Sequence, residues 1–305
     1  MDFTKAKWYV VIPPVNRIPM RLSRKLLFPI GLFFGALFFG TPPGWSQSSV
    51  RVDSFYAPSL GRMKSVSVLL PEPYTPRVHY PVLYLLHGYG GDHTNWASLT
   101  KLGTYVDKLR LIVVMPDAEN SWYVNSATVD QDRFEDYVMK DLPRHIQQRY
   151  SVDTTKQGIA GLSMGGYGAI MLALKHLTRF RFVGSLSGAL SYPRAMADTL
   201  RTPGRNLLPS LRRAFGERDV DFQNRYDAML LAQEAARDSL PYFYFVIGTS
   251  DGFRNFLPAH RALTDQLRAS GAHYEYHETP GGHNWQYWDR EIQPLLSRMK
   301  SILAF

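Results

Sequence analysis

The 305-residue chain is 45% hydrophobic and 20% charged, which fits an ordinary folded domain and excludes the disordered, collagen-like and coiled-coil classes. Much of its formal charge of +9 lies near the N-terminus, where Lys5, Lys7, Arg17, Arg21, Arg24 and Lys25 face a single acid, Asp2. The remainder is mildly basic without a basic stripe interleaved with aromatics, so no nucleic-acid partner is expected, and the absence of cysteine removes disulfides, thiolate metal sites and a cysteine nucleophile.

Behind Arg21, Arg24 and Lys25 comes an uncharged apolar run, Leu26–Phe39. A membrane-spanning helix needs about 20 apolar residues, whereas a run of this length suits the apolar part of a secretory signal. Gly44 and Ser46 supply small residues ahead of a cut before Gln47, and Met20 offers a second start. Residues 1–46 are therefore expected to be a signal peptide or an uncleaved N-terminal anchor, and residues 47–305 one folded domain outside the cytoplasm, periplasmic or secreted. Membrane contact is expected only through an uncleaved leader.

Beyond the leader no linker, repeat or low-complexity tract divides the chain. Two strand-like segments come first, Val50–Tyr56 and Met63–Leu70, the second alternating like a half-solvated antiparallel strand. Short apolar runs follow at Val82–Leu86, Leu111–Met115, Gly158–Gly161, Phe182–Leu186 and Tyr242–Ile247. Between them lie helical stretches such as Phe134–Gln148, Gly166–Lys175 and Arg261–Ala269. Strand–helix alternation with strands apolar on both faces predicts an α/β fold, a mostly parallel central sheet with helices on both faces. The stretch between Gly188 and Tyr242 reads as a short lid-like insert, rich in arginine: Arg194, Arg201, Arg205, Arg212, Arg213 and Arg218. Those side chains either grip an acidic substrate or form a solvated face beside Asp198, Glu217 and Asp219, and the solvated face is the expectation.

In a parallel sheet the ligand site lies beyond the carboxyl ends of the strands. Residues there include His87-Gly88-Tyr89-Gly90-Gly91, Ser163-Met164-Gly165-Gly166 and Gly248-Thr249-Ser250-Asp251. Gly-x-Ser-x-Gly occurs twice, around Ser163 and around Ser250. Only Ser163 has the strand–turn–helix setting of a nucleophile elbow, with small residues running on into Ile170-Met171-Leu172, whereas Phe253–Pro258 after Ser250 reads as a bulky loop. A serine hydroxyl needs an imidazole to take its proton and a carboxylate to orient that imidazole. Asp251 ends the strand Tyr242–Ile247 and His283 lies in the glycine-rich loop before the last helix, giving the order Ser…Asp…His. The backbone N–H groups of Met164 and Tyr89 are the candidate oxyanion donors, and His87 reads as a loop brace. His145, His176 and His260 read as solvated or locally bonded helical residues, and His277 as a residue of a sheet face. No His-Glu-x-x-His occurs, so neither a metal nor another cofactor is expected. Trp96, Trp122, Tyr123 and Trp285 lie on loops at the strand ends and are the candidate substrate contacts, stacking on sugars or phenolic rings, with loop bracing the alternative for Asn95-Trp96 and Asn284-Trp285.

Taken together, Tyr80–Gly88, Asn95-Trp96, Met115-Pro116-Asp117, Gly161–Ala169, Ser187-Gly188, Gly248–Asp251 and Gly281–Trp285 resemble the esterase D-like family of α/β-hydrolases. That family includes feruloyl and acetyl-xylan esterases, S-formylglutathione hydrolases and mycolyltransferases. The resemblance covers roughly residues 50–304. It implies a cofactor-free serine carboxylic-ester hydrolase with Ser163, Asp251 and His283 as triad, taking a small-molecule or glycan ester. The cysteines that cytoplasmic formylglutathione hydrolases tend to carry near the site are missing, which favours an extracellular ester. An acyltransferase using a sugar acceptor is the alternative, and a non-catalytic binding protein on the same scaffold the third reading.

Overall fold

The computed structural model describes residues 49–196 and 206–305. The expected signal or anchor, residues 1–46, lies outside them, as do Asp198, Arg201 and Arg205. Eight strands form one sheet in the order β1-β2-β4-β3-β5-β6-β7-β8. They are β1 (Ser49–Ala57), β2 (Arg62–Leu70), β3 (Tyr80–Leu86), β4 (Ile112–Pro116), β5 (Val152–Leu162), β6 (Phe182–Leu186), β7 (Tyr242–Gly248) and β8 (Tyr274–Thr279). β2 runs antiparallel to both β1 and β4, and every later pairing is parallel.

Alternation along the strands divides the core into two layers. Val82, Tyr84 and Leu86 of β3 face one layer, with Ile159, Val183 and Phe245. Helices α3 (Phe134–Asp136), α4 (Leu142–Arg149), α5 (Met164–Lys175) and α9 (Phe256–Ala269) pack there through residues such as Phe134, Ile146, Tyr167, Ile170, Leu263 and Leu267. Leu83 and Leu85 face the other layer with Val113, Ala160 and Val246, covered by α1 (Asn95–Leu99), α2 (Leu102–Val106) and α10 (Trp285–Leu303). Burial on both faces explains why these strands read as continuous apolar runs.

Two expectations are corrected. β2 is not half-solvated: Val66 to Leu70 are buried, because β1 takes the edge and leaves Val52 61% exposed. Its polar Ser67 is capped by His93 Nδ1 at 2.8 Å. The segment after Ser250 is also not a loop as far as Pro258, since α9 starts at Phe256 and proline is tolerated in a first turn, where N–H groups have no intrahelical acceptor.

The insert carries α6 (Leu208–Phe215), α7 (Val220–Asn224) and α8 (Ala228–Glu234). Leu211, Phe215, Ala228 and Ala232 enter the same layer as α5, so its described part is body as well as rim. Arg194 pairs with Asp227 at 2.9 Å, Arg212 with Glu217 at 2.7 Å and Arg213 with Asp132 at 2.7 Å, so of the acids expected beside these arginines Glu217 is met, while Asp219 caps α7.

Candidate active site

Ser163 stands between β5 and α5 with φ 52° and ψ −117°, a left-handed conformation that costs about 1–3 kcal/mol for a side chain with a Cβ. Flanking contacts hold it there. The Ser163 N–H donates to Leu186 O at 3.0 Å, and its own carbonyl accepts from Tyr167 N at 3.0 Å and Ala189 N at 2.9 Å. A Cβ at Gly165 would lie 2.5 Å from His87 O, and one at Gly161 would lie 2.5 Å from the Gly165 carbonyl. Both glycines are therefore required by backbone approach, and the approach aims α5 and its positive end at the serine.

The chain order found in the sequence closes in space. Ser163 Oγ lies 2.9 Å from His283 Nε2, and His283 Nδ1 lies 2.8 Å from Asp251 Oδ2. A carboxylate only accepts, so Nδ1 carries the proton and Nε2 faces the hydroxyl as acceptor. Asp251 is 2% exposed at its side chain and His283 16%, and the Asp251 Oδ1 accepts from Phe253 N at 3.0 Å. Phe253, Phe256 and Trp288 wall the imidazole at centroid distances of 4.8, 5.7 and 4.9 Å. Ser250, the rival serine, is exposed; its backbone N–H donates to Gly281 O, and no hydrogen bond joins its hydroxyl to a histidine among the described residues.

The loop after β3 lies against this group, since a Cβ at Gly88 would come 3.5 Å from Ser163 Cβ. Its fixing is explicit. His87 Nδ1–H donates to Gly88 O at 2.8 Å while its Nε2 accepts from Ala118 N at 3.0 Å, and burial pushes the imidazole below its ordinary range, which keeps it neutral for both bonds. Gly90 N donates to Asn120 Oδ1 at 2.6 Å. The Tyr89 N–H has no acceptor among the described residues, and Met164, as the first residue of α5, has no intrahelical one. Two N–H groups on the segments adjoining Ser163 thus have no acceptor among the described residues.

Residues 57–299 match the Esterase family. The chain belongs to it. An acetyl esterase of Caldicellulosiruptor saccharolyticus is 25% identical over 264 residues, 82% of this chain and 97% of that protein. The diacylglycerol acyltransferase/mycolyltransferase Ag85A of Mycobacterium gordonae is 25% identical over 290 residues, 87% of this chain and 84% of its own. Among solved structures, the substrate-bound fluorophosphonate-binding serine hydrolase FphF of Staphylococcus aureus superposes with a TM-score of 0.71 at 23% identity, covering 83% of this chain and 99% of that one. At that identity the likeness speaks for the fold, an α/β-hydrolase.

This esterase has a cleft of about 570 Å³ over Ser163. Of the four aromatic candidates, Trp122 and Trp285 line it, and Trp96 and Tyr123 do not. Trp96 is 1% exposed and donates its indole N–H to Leu86 O at 3.0 Å, and the buried Tyr123 hydroxyl donates to His87 O at 2.8 Å. Both brace the start of the loop after β3 instead of lining the cleft: for Trp96 this is the bracing alternative, and for Tyr123 it corrects the expected substrate contact. Trp122 contributes only an edge, since it is itself 1% exposed and donates to Ser210 Oγ at 3.1 Å. The reading from sequence missed Leu99, Leu207, Phe253, Phe256 and Trp288 as lining residues. Trp288 had a signal, its position one helical turn after Trp285. Among the described residues, no Asp, Glu, Lys or Arg lines the cleft, and no cluster of three or more ligating side chains is arranged for a metal.

Proposed function

We propose that the enzyme hydrolyses carboxylic esters through an acyl-enzyme on Ser163. The observation that carries this reading is the unbroken relay Ser163 Oγ–His283 Nε2–Asp251 Oδ2 on a strained elbow. Ser163 Oγ attacks the ester carbonyl carbon as its proton passes to His283 Nε2. Asp251 holds the tautomer and stabilises the imidazolium. The carbonyl oxygen becomes an oxyanion held by the Met164 and Tyr89 N–H groups, and its collapse expels the alcohol, protonated from His283. Water then enters, gives its proton to the same nitrogen and releases the acid, restoring Ser163.

The substrate is a neutral ester, an acylated carbohydrate or another small extracellular ester. Supporting this are a cleft with no Asp, Glu, Lys or Arg among its described lining residues, its tryptophan and phenylalanine walls, and a curated relative that is an acetyl esterase. A second reading, transfer of the acyl group to a sugar hydroxyl instead of water, is favoured by the Ag85A relative alone. Export is part of the proposal and rests on the basic-then-apolar leader. The test is an ester panel of acetyl-xylan, feruloyl and plain aliphatic substrates run on wild type beside Ser163→Ala, with products separated in the presence and absence of a polyol. Wild-type turnover of sugar or aromatic esters that the variant lacks supports the proposal. Turnover of short aliphatic esters alone removes the carbohydrate reading, and an acylated polyol as main product favours transfer.

A further inference from the structure

His283 rides on residues 280–284, a loop with consecutive glycines at 281 and 282 that joins β8 to α10. Glycine gives such a loop wide freedom, yet the imidazole must stay within hydrogen-bond reach of two partners on different strands. On one side the loop is tied to the Asp251 segment, with Thr249 N donating to Thr279 O and Ser250 N to Gly281 O, both at 2.9 Å.

On the other side lies a cluster from the first turns of α10. The Thr279 hydroxyl contacts both Tyr287 Oη at 2.9 Å and Glu291 Oε1 at 3.0 Å. A carboxylate cannot donate, so the single Thr279 proton goes to Glu291 and the Tyr287 proton to Thr279. Arg290 donates Nε to Glu291 Oε1 at 2.7 Å and a terminal nitrogen to Pro280 O at 2.6 Å. Every proton is assigned: Tyr287 to Thr279, Thr279 to Glu291, and Arg290 to both Glu291 and Pro280. The Tyr287 ring then closes on Gly281, where φ is 154° and a Cβ would lie 2.2 Å from the ring. Glu291 is the hub, 6% exposed, with its carboxylate bonded to Thr279 and Arg290 and by no hydrogen bond among the described residues to Ser163 or His283.

We propose that Glu291 is a positioning residue for His283. By holding Thr279 and Arg290, its carboxylate fixes both ends of the β8–loop junction and so keeps the imidazole aligned with Ser163 and Asp251. The proposal rests on the reading of His283 as general base.

The experiment compares Glu291→Gln, Thr279→Val and Thr279→Ser with wild type, and uses Glu135→Gln as a control for lost stability at a distance from the loop. Each is assayed well below its melting temperature for kcat, KM and the rate of Ser163 labelling by a fluorophosphonate. Glu291→Gln and Thr279→Val are expected to lose about 10- to 100-fold in kcat and in labelling rate, the scale of a misplaced catalytic group, with KM within about twofold. Thr279→Ser, which keeps the hydroxyl, restores both, and Glu135→Gln keeps wild-type kcat. Wild-type kcat and labelling in Glu291→Gln and Thr279→Val, with only the melting temperature lowered, would overturn the proposal and leave Glu291 a structural residue. Absence of labelling at Ser163 in wild type itself would overturn the functional reading and the positioning role together.

Discussion

Asp251 makes two different bonds with its two oxygens, one to the His283 ring and one to the Phe253 N–H. Asp251→Asn keeps an oxygen for Phe253 but offers an amide where a carboxylate fixed the tautomer. The expected outcome is a kcat lower by about 10³–10⁴ with the fold intact, checked by steady-state kinetics beside circular dichroism. The two tryptophans separate in the same way. Trp96→Ala empties a fully buried site and strands Leu86 O, so denaturant titration should show a loss of about 3–5 kcal/mol. Trp285→Ala, at a half-buried ring edge-on to Trp96 and Trp288, should cost less stability than Trp96→Ala yet lower kcat/KM for aromatic or sugar esters more than for simple acetyl esters. The convergence of Ser163, His283 and Asp251 was legible in the sequence because strand ends and chain order constrain it. The aromatics were not, because a tryptophan at a strand end looks the same whether it faces a ligand or a backbone carbonyl.

At the scale of elements, the elbow is where sequence and geometry agree most closely. β5, the turn and α5 approach so tightly that Gly165 has His87 O and Leu86 O at 2.5 and 2.6 Å from a would-be Cβ, both of them backbone atoms that cannot swing away. Gly165→Ala is therefore expected to cost about 1–3 kcal/mol and to lower kcat, since relief requires moving the oxyanion loop. Thermal unfolding and kinetics on one preparation check both halves. Other boundaries were less legible for physical reasons. β5 begins at Val152, ahead of the predicted Gly158, because its first residues pair beyond the covered core and carry polar side chains. The predicted helix 134–148 contains a π-helical stretch, Tyr137–Asp141, whose extra residue per turn leaves no mark in an apolar pattern.

The whole molecule is held together across the insert by a buried carboxylate. Burial alone would raise Glu135, but hydrogen bonds from His176, Lys175 and Tyr226 and the Lys175 charge hold it at about 2. Its depressed value contributes stability that is full above its ordinary 4.5 and is lost as pH falls through about 2. His260 acts earlier: desolvation lowers it to about 4 from 6.5, so stability present above 6.5 declines as pH falls toward 4. Acid unfolding is expected in two windows, and Glu135→Gln should remove on the order of 2–3 kcal/mol at neutral pH together with the lower window. Denaturant midpoints measured from pH 7 to pH 2 decide it. Fold class was readable at this scale because alternating apolar segments point to a covered parallel sheet, whereas the order β1-β2-β4-β3-β5-β6-β7-β8 came only with the structure. The cleft lining was not, since Leu99, Leu207, Phe253 and Trp288 converge from four separated segments.

The central claim, an acyl-enzyme on Ser163 activated through His283, is tested most directly by covalent labelling. Wild type, Ser163→Ala, Ser250→Ala and His283→Ala are treated with a fluorophosphonate and the modified peptide is mapped by mass spectrometry. One adduct on Ser163 is predicted in wild type and in Ser250→Ala, none in Ser163→Ala, and labelling slowed by several decades in His283→Ala. An adduct on Ser250, or labelling that survives Ser163→Ala, would contradict it.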